Sequence, residues 1–252
     1  MGTETALPPM KDLASSDPTL RRSTLQILLT HLSTLPPSTR LTTLQTLQIW
    51  TSLFYTLYMH DSRSTAPLST QNLINTLTTT LLTSTIPPDN PHLKLALTTG
   101  FWETISREWS GIDRHRMDKY LLLVRCMLRA VFLLLYESTR GQATTEEKEA
   151  ANGQVEVLRK WPLSTGRGNG EGRKVPDGIR YHVLDVWVDE LEKVFQDGDR
   201  EDEGKEREKE RRTVVLGMIM GLVEKVAGDA LTKGVRLRSK DVLADGRLEE
   251  WR

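Results

Sequence analysis

The sequence of residues 101–136 is FWETISREWSGIDRHRMDKYLLLVRCMLRAVFLLLY, and it combines a helix end, a helix start and the most apolar helix of the chain. Ser110 and Gly111 interrupt the first helical pattern, while Ser110 and Asp113 together resemble a capping box. After this start, apolar side chains recur at helical spacing as far as Leu135. The stretch therefore predicts two consecutive helices joined at a corner.

The rest of the chain repeats this helical pattern. Aromatic residues make up 6% of the 252 residues, and no separated runs of alternating valine, isoleucine and threonine suggest strands. The first hundred residues hold 22 threonines and 11 charged residues, so packing rather than helix propensity must hold their helices. Short connections between the first five predicted helices favour antiparallel neighbours, as in a bundle or an α-solenoid.

Changes in composition divide the chain into four predicted segments. Residues 1–16 form an N-terminal extension, and residues 17–196 form the main helical domain. The run DGDREDEGKEREKERR in residues 197–212 predicts a charged flexible loop. Residues 213–252 predict a helix and a tail that pack on the same single domain.

Charge and hydropathy limit the classes of partner. The 34 basic and 34 acidic residues balance, so any electrostatic partner must meet a local patch. The longest apolar stretch, Leu121–Tyr136, is interrupted by Arg125 and Arg129 and is too short to span a bilayer. We therefore expect a soluble protein without a membrane partner. The lone Cys126 is expected to be a small buried apolar side chain, and it suggests a reducing compartment.

Motifs for catalysis are weak. The glycine-rich run in residues 164–172 has no buried strand before it, so it predicts a linker rather than a phosphate-binding loop. His115 with Asp118, and His182 with Asp185, each share a helix face and leave a metal-dependent hydrolase as a minor alternative. We expect no enzyme, no cofactor and no small-molecule substrate.

A basic cluster surrounds the predicted corner. Cations at a helix start oppose the helix dipole, so they either pair with nearby carboxylates such as Asp118, four residues after Arg114, or contact an external anion. Both interpretations stay open from the sequence. The candidate contacts to RNA or a protein partner are Arg107, Arg114, Arg116, Lys119, Arg125 and Arg129, with His115 in the same cluster.

Two further sets of residues are candidates. A polar stripe on the helix predicted after Pro176 should face water or a partner, and it consists of His182, Asp185, Asp189 and Glu192. Four tryptophans are expected to anchor the packing rather than to stack on bases, and they are Trp50, Trp102, Trp109 and Trp187.

Three blocks resemble one protein family. Residues 101–125, FWETISREWSGIDRHRMDKYLLLVR, are similar to a central segment of the ribosomal RNA processing protein 1 family, also called nucleolar protein 52. Residues 49–61, IWTSLFYTLYMHD, resemble its tryptophan-rich helix, although the family's basic residues are absent here. Residues 176–191, PDGIRYHVLDVWVDEL, resemble a third segment in the same order.

This resemblance implies a fold and a function. The fold would be all-α, an irregular HEAT-like helical solenoid of about eight antiparallel helices. The function would be that of a non-catalytic assembly factor of the large ribosomal subunit in the nucleolus of the nucleus, needed for processing of precursor rRNA. Its partners would be other pre-60S assembly factors and ribosomal proteins, with precursor rRNA contact as an added possibility; the alternative is a helical protein–protein adaptor that touches no RNA.

Overall fold

The computed structural model describes residues 6–60, 67–141, 143–166, 175–198 and 204–251. The regular structure in these ranges consists of helices without β-strands, which confirms the predicted all-α class. The HEAT-like arrangement stays a prediction. The α-helices are α1 (Pro18–Ser33), α2 (Thr43–Tyr58), α3 (Pro67–Asn75), α4 (Pro91–Glu108), α5 (Met117–Ser138), α6 (Thr145–Lys160), α7 (Asp177–Gly198), α8 (Lys205–Asp229), α9 (Lys233–Leu243) and α10 (Arg247–Glu250).

The chain divides into two compact units, Met1–Met127 and Leu128–Arg252. The sequence predicted a single domain because it contains no linker near this boundary. The boundary falls inside α5, which continues through it as one unbroken helix. The predicted limits of the four segments stay predictions.

In the first unit, α2 packs closely on α4. The indole nitrogen of Trp50 donates a hydrogen bond to the carbonyl oxygen of Leu97 at 2.6 Å. Gly100 permits this approach, since a Cβ atom at this position would lie 3.0 Å from Cβ of Thr46 and from Cδ1 of Trp50. A glycine in the middle of a helix normally weakens it, so its use here is explained by the packing.

Threonine side chains in the first unit bond back to their own helices. The hydroxyl of Thr78 donates to the carbonyl oxygen of Ile74 at 2.7 Å, and that of Thr98 donates to the carbonyl oxygen of Lys94 at 2.9 Å. Both residues are fully buried. The bonded hydroxyl is satisfied within the helix, so threonine can occupy core positions in this charge-poor region.

The third predicted helix departs from regular α geometry. After Asn75 it continues as a π-helix over Thr76–Thr85, in which Leu77 and Leu81 are buried as the periodicity predicts. Such stretches shift the helical register. In the preceding α-helical part, Ile74 is fully buried and Leu73 is half-buried.

Part of the predicted N-terminal extension is packed. Lys11–Ala14 form a 3-10 helix, and the side chain of Leu13 is completely buried. The carbonyl oxygen of Leu13 accepts a hydrogen bond of 3.0 Å from the hydroxyl of Thr56 in α2. This segment therefore contributes to the core of the first unit.

The second unit is built around α7. Phe195 of this helix contacts Tyr136 of α5, with ring centroids 5.5 Å apart, and Trp251 at 5.2 Å in an edge-to-face arrangement. Val183, Trp187 and Leu191 are also fully buried or nearly so. The apolar side chains of α7 thus lie in the core.

The prediction of a flexible loop at residues 197–212 is wrong for the part that the structure describes. Helix α7 extends to Gly198, and α8 begins at Lys205, eight residues before the predicted start at Thr213. Glutamate, lysine and arginine are good helix formers, so a run of alternating charges can continue a helix. Residues 199–203 lie outside the described ranges.

Candidate functional site

The α4–α5 corner, residues 109–116, is ordered by Asp113 rather than by Ser110. Ser110 lies in a 3-10 helix, Trp109–Gly111, so the predicted capping role of this residue is wrong. The carboxylate of Asp113 accepts hydrogen bonds from the backbone amides of His115 at 3.0 Å and Arg116 at 3.1 Å. Asp113 thus satisfies amides just before α5, in the manner of an N-cap.

The same carboxylate connects the corner to α2. The Tyr58 hydroxyl donates to Oδ2 of Asp113 at 3.0 Å, and the Arg116 guanidinium forms an ion pair with that oxygen. The guanidinium also lies over the Tyr58 ring, 4.4 Å from its centroid, while its Nε donates to the Tyr58 carbonyl oxygen at 3.2 Å. Arg116 therefore bonds within the unit.

These contacts change the acidity of both side chains. Partial desolvation acts to raise the pKa of Asp113, but the hydrogen bonds from Arg116 and Tyr58 outweigh it and lower this pKa. The hydrogen bond to Asp113, followed by desolvation, raises the pKa of Tyr58. The arrangement favours a negative Asp113 and a neutral Tyr58, which is the charge state of a stable structural bridge.

Lys119 also points inward. Its ammonium group donates to the carbonyl oxygens of Leu57 at 2.6 Å, Tyr58 at 3.2 Å and His60 at 3.0 Å, where α2 ends. Carbonyls at a helix C-terminus lack partners within the helix and carry partial negative charge. The cation therefore caps α2 through these backbone oxygens.

Arg107 and Arg114 present charge to solvent. Arg107 is 45% exposed, although it bonds Glu108 at 2.7 Å and the Thr51 hydroxyl at 2.8 Å. Arg114 is exposed and makes no ion pair or hydrogen bond with any described residue, so the Arg114–Asp118 pair considered from the sequence does not form. These two arginines, with the exposed His115, are the part of the cluster that is placed to meet an external anion.

The basic stripe does not continue outward along α5. Arg129 bonds the fully buried carboxylate of Glu190 in α7, which Lys193 also contacts at 3.0 Å. A buried carboxylate needs such charged partners, so Arg129 has a structural role. Arg125 is half-buried and makes a noncovalent interaction of its own.

The predicted tryptophan anchors differ in burial. Trp50, Trp102 and Trp187 are at most 2% exposed, which agrees with a role in packing. Trp109 is only half-buried, and it begins the 3-10 helix that follows α4. It is the anchor with surface available at the corner.

The polar stripe of α7 is largely occupied by arginines of the same unit. Asp185 pairs with Arg238 of α9 at 2.8 Å. Arg247 of α10 pairs with Asp189 at 3.1 Å and with Glu192 at 2.8 Å. His182 likewise has an interaction within the chain.

Sequence reasoning missed Arg238 and Arg247 as the stripe's counterions, because the tail that contains them has no clear helical or strand pattern. The sequence feature that could have indicated them is the presence of arginines in the tail of a chain whose predicted helix carries a row of acidic residues. The three carboxylates still retain about a third or more of their surface, between 35% and 43%.

Comparison with known proteins decides the family. The sequence model of the family described as "Nucleolar protein, Nop52" matches residues 4–252. The chain belongs to the Nop52 family. The resemblance stated from the three sequence blocks is thereby confirmed.

Named relatives of this Nop52-family chain come from several organisms. It is 34% identical over 148 residues to the human "Ribosomal RNA processing protein 1 homolog B", covering 59% of this chain and 17% of the relative. It is 30% identical over 148 residues to the human homolog A, covering 59% and 28%. The Dictyostelium discoideum homolog is 28% identical over 166 residues, covering 62% and 31%. The chain thus matches less than a third of the length of these relatives.

The family blocks of this Nop52-family chain coincide with the structural features described above. The first block forms the second half of α2 and includes Tyr58, and the central block forms the end of α4, the corner and the start of α5. Two of the three blocks are therefore connected by contacts between Tyr58 of the first block and Asp113, Arg116 and Lys119 of the central block. The third block forms most of α7, which carries the polar stripe.

A metal site would need several ligands close together. Among the described residues of this Nop52-family chain, no group of three or more histidine, cysteine, aspartate or glutamate side chains is arranged to hold a metal ion. Within the described ranges, the pairs His115 with Asp118 and His182 with Asp185 therefore belong to no such group. No helix in the described part of the chain is long and apolar enough to cross a membrane.

Proposed function

We propose that this chain is a non-catalytic assembly factor of the large (60S) ribosomal subunit that acts in the nucleolus during processing of precursor rRNA. The family match over residues 4–252 is the observation that carries this proposal. The names of the relatives, which refer to ribosomal RNA processing, support it. The chain would act as a helical scaffold for other pre-60S assembly factors and ribosomal proteins.

Gradient sedimentation of the tagged chain from nuclear extract tests this role. We expect it to migrate with precursors of the large subunit and to leave those fractions when the particles are dissociated. Recovery only from the free-protein fractions would contradict the proposal. Depletion of the chain should also cause precursor rRNA of the large subunit to accumulate, while precursors of the small subunit continue to mature.

Direct rRNA contact would use the outward part of the basic cluster. Arg107, at the end of α4, and Arg114, in the corner, are exposed, and the half-buried Trp109 lies between them in the sequence. Arginines contact phosphates through charge-assisted hydrogen bonds, and each contact adds to the salt dependence of binding. Arg116 and Lys119 would support this surface from within by fixing the corner to α2.

Crosslinking with charge-reversed variants tests RNA contact. The double variant Arg107→Glu with Arg114→Glu should lose most RNA crosslinks and lower the salt slope by about one to two. Arg22→Glu is the matched control, since Arg22 is an exposed arginine of α1 outside the cluster. Crosslinking of the double variant at the level of the control would remove RNA contact at the corner.

The second candidate function is a protein–protein adaptor without RNA contact. The inward placement of Arg116 and Lys119 favours it, because only part of the predicted cationic surface is left for phosphates. In this case the double variant should still sediment with the particle and should lose contacts to an acidic protein partner. Crosslinking of wild type and double variant within purified particles separates the two functions.

A further inference from the structure

A cleft in the second unit lies outside the basic cluster and the α7 stripe. It has a volume of about 680 Å³ and is bounded by the end of α5, the start of α6 and the first half of α8. Ligand clefts typically have volumes of about 300–1,000 Å³. The cleft is therefore large enough for a few residues of an extended peptide.

The lining of the cleft is cationic. It contains four basic side chains, Arg140, Lys148, Arg207 and Arg211, against the single carboxylate of Glu210. Lys148 and Arg207 are exposed, and neither makes a side-chain ion pair or hydrogen bond within the described ranges. Their charge is thus available to an incoming anion.

Arg140 provides a further unused donor. It pairs with Glu137 at 2.9 Å through Nη1, yet its Nε is buried and has no hydrogen-bond partner among the described residues. A buried N–H group without a partner is costly. The side chain as a whole is 28% exposed, so a carboxylate in the cleft would supply the missing acceptor once the guanidinium turns toward it.

Arg211 fixes the inner part of the cleft. Its guanidinium stacks on the Tyr136 ring at 3.9 Å, and it donates to the Tyr136 carbonyl oxygen at 3.1 Å and the Thr139 hydroxyl at 3.2 Å. These bonds hold a positive charge in place without side-chain motion. A preorganised charge lowers the cost of binding.

One wall of the cleft is apolar. Val214 is 44% exposed, and Met218 and Ala151 also line the cleft. None of the described lining residues is aromatic, so an RNA base would find no ring on which to stack. The basic side chains and the apolar wall together therefore match a peptide that carries carboxylates and apolar side chains, rather than a nucleotide.

We propose that this cleft binds an extended acidic peptide segment of a partner protein, with its carboxylates on Arg140, Lys148 and Arg207 and an apolar side chain against Val214 and Met218. The identity of the partner as an assembly factor rests on the proposed function. The chemistry of the cleft does not rest on the proposed function. Peptide binding in solution therefore tests the cleft separately from sedimentation of the chain with the particle.

Fluorescence anisotropy with the full 252-residue chain tests the proposal. The probe is a labelled dodecapeptide that alternates leucine with aspartate, and it is compared with one alternating leucine with lysine, one alternating serine with aspartate, and a polyuridine 12-mer. We expect the leucine–aspartate peptide to bind best. Lys148→Glu and Arg207→Glu should each weaken this binding about tenfold, because each reverses a charge facing the peptide.

Matched controls make the result specific to the cleft. Lys209→Glu changes an exposed cation of α8 outside the lining and should leave peptide affinity unchanged. Val214→Ser should reduce peptide affinity, because Val214 lines the cleft. Leu237→Ser, at an exposed position of α9, should leave peptide affinity unchanged. Equal loss in all charge variants, or no binding of the leucine–aspartate peptide, would overturn the proposal. The proposal would also be overturned if polyuridine bound more tightly than the leucine–aspartate peptide, with its binding weakened by Arg207→Glu and unchanged by Val214→Ser. That result would identify a phosphate site.

Discussion

The ammonium nitrogen of Lys119 lies 2.6 Å from the carbonyl oxygen of Leu57 and joins the start of α5 to the end of α2. Replacement by methionine keeps the length of the side chain but leaves the terminal carbonyls of α2 without this donor. We expect Lys119→Met to lower the free energy of unfolding by about 1–3 kcal/mol, as for loss of hydrogen bonds to a charged group. Urea denaturation followed by circular dichroism measures the change.

Arg114→Met is the control for Lys119→Met, because Arg114 belongs to the same cluster and is exposed without a bonding partner among the described residues. Its effect should stay within about 0.5 kcal/mol. Equal destabilisation by both variants would contradict the distinction between inward and outward cations.

The pH dependence of stability should depend on Asp113. The pKa of its carboxyl lies below the ordinary value of 3.8, so its charged form stabilises the fold. This contribution is fully present above the pKa of the unfolded chain and is lost as the pH falls through the lower folded value. Asp113→Asn keeps a capping oxygen but removes the charge, so it should be less stable than wild type at about pH 7, with the difference shrinking below about pH 4.

Thermal unfolding at several pH values measures this convergence. Asp89→Asn provides the comparison, because Asp89 is exposed and has no ion pair or hydrogen bond through its side chain in the described part of the chain. A difference between Asp113→Asn and wild type that stays constant down to about pH 3 would refute the role of the charge.

Gly100 should resist substitution despite its position inside α4. A methyl group there would meet Cβ of Thr46 and Cδ1 of Trp50 at 3.0 Å, which is too close for either to remain in place. We expect Gly100→Ala to destabilise the fold by about 1–3 kcal/mol, the usual range for overpacking. The measurement is again the midpoint of urea unfolding.

Gly217→Ala offers the opposite expectation. Gly217 lies inside α8, and a methyl group added there would meet no packing neighbour within 4 Å, so alanine should stabilise the helix by about 0.5–1 kcal/mol. Stabilisation by Gly100→Ala would show that α2 and α4 are not held at the described separation.

Arg247 should order the end of the second unit. It contacts Asp189 and Glu192 of α7 and also Asp245 at 2.8 Å, and these bonds raise its pKa. Arg247→Gln should therefore increase hydrogen–deuterium exchange in α10 and around Trp251, with a cost to global stability of about 1 kcal/mol because the network is partly exposed.

Arg238→Gln removes a single exposed pair with Asp185 and should leave exchange in α10 unchanged. If the two variants altered α10 equally, the order of this segment would not depend on Arg247. High salt should narrow the difference between wild type and Arg247→Gln, since exposed ion pairs are screened.

The helices were predictable from the sequence where apolar spacing was regular. The apolar spacing up to Leu135 predicted α5, because burial of one face dominates helix formation, and the helix predicted after Pro176 is α7. The start of α8 was not predicted, since alternating charges suggested solvent exposure and hid the good helix propensity of the same residues.

The direction of the basic side chains could not be predicted. Arg116 and Lys119 bind carbonyl oxygens of α2, and backbone acceptors leave no mark in a sequence. Likewise, the sequence predicted that Ser110 would act as the cap with Asp113 as its partner, whereas Ser110 lies in a 3-10 helix and Asp113 accepts the amide hydrogen bonds. Charge patterns identify where ionic contacts can form, but tertiary packing chooses their partners.

The bonded hydroxyls of Thr78 and Thr98 turn threonine into a nearly apolar residue as seen by its neighbours. Over evolutionary time such positions should vary between threonine and valine, because the two side chains have nearly the same volume. Relatives of this chain can therefore differ at the buried threonine positions of the first unit and still preserve the same core. Sequence identity would then be a poor measure of how far the structure of the first unit has diverged.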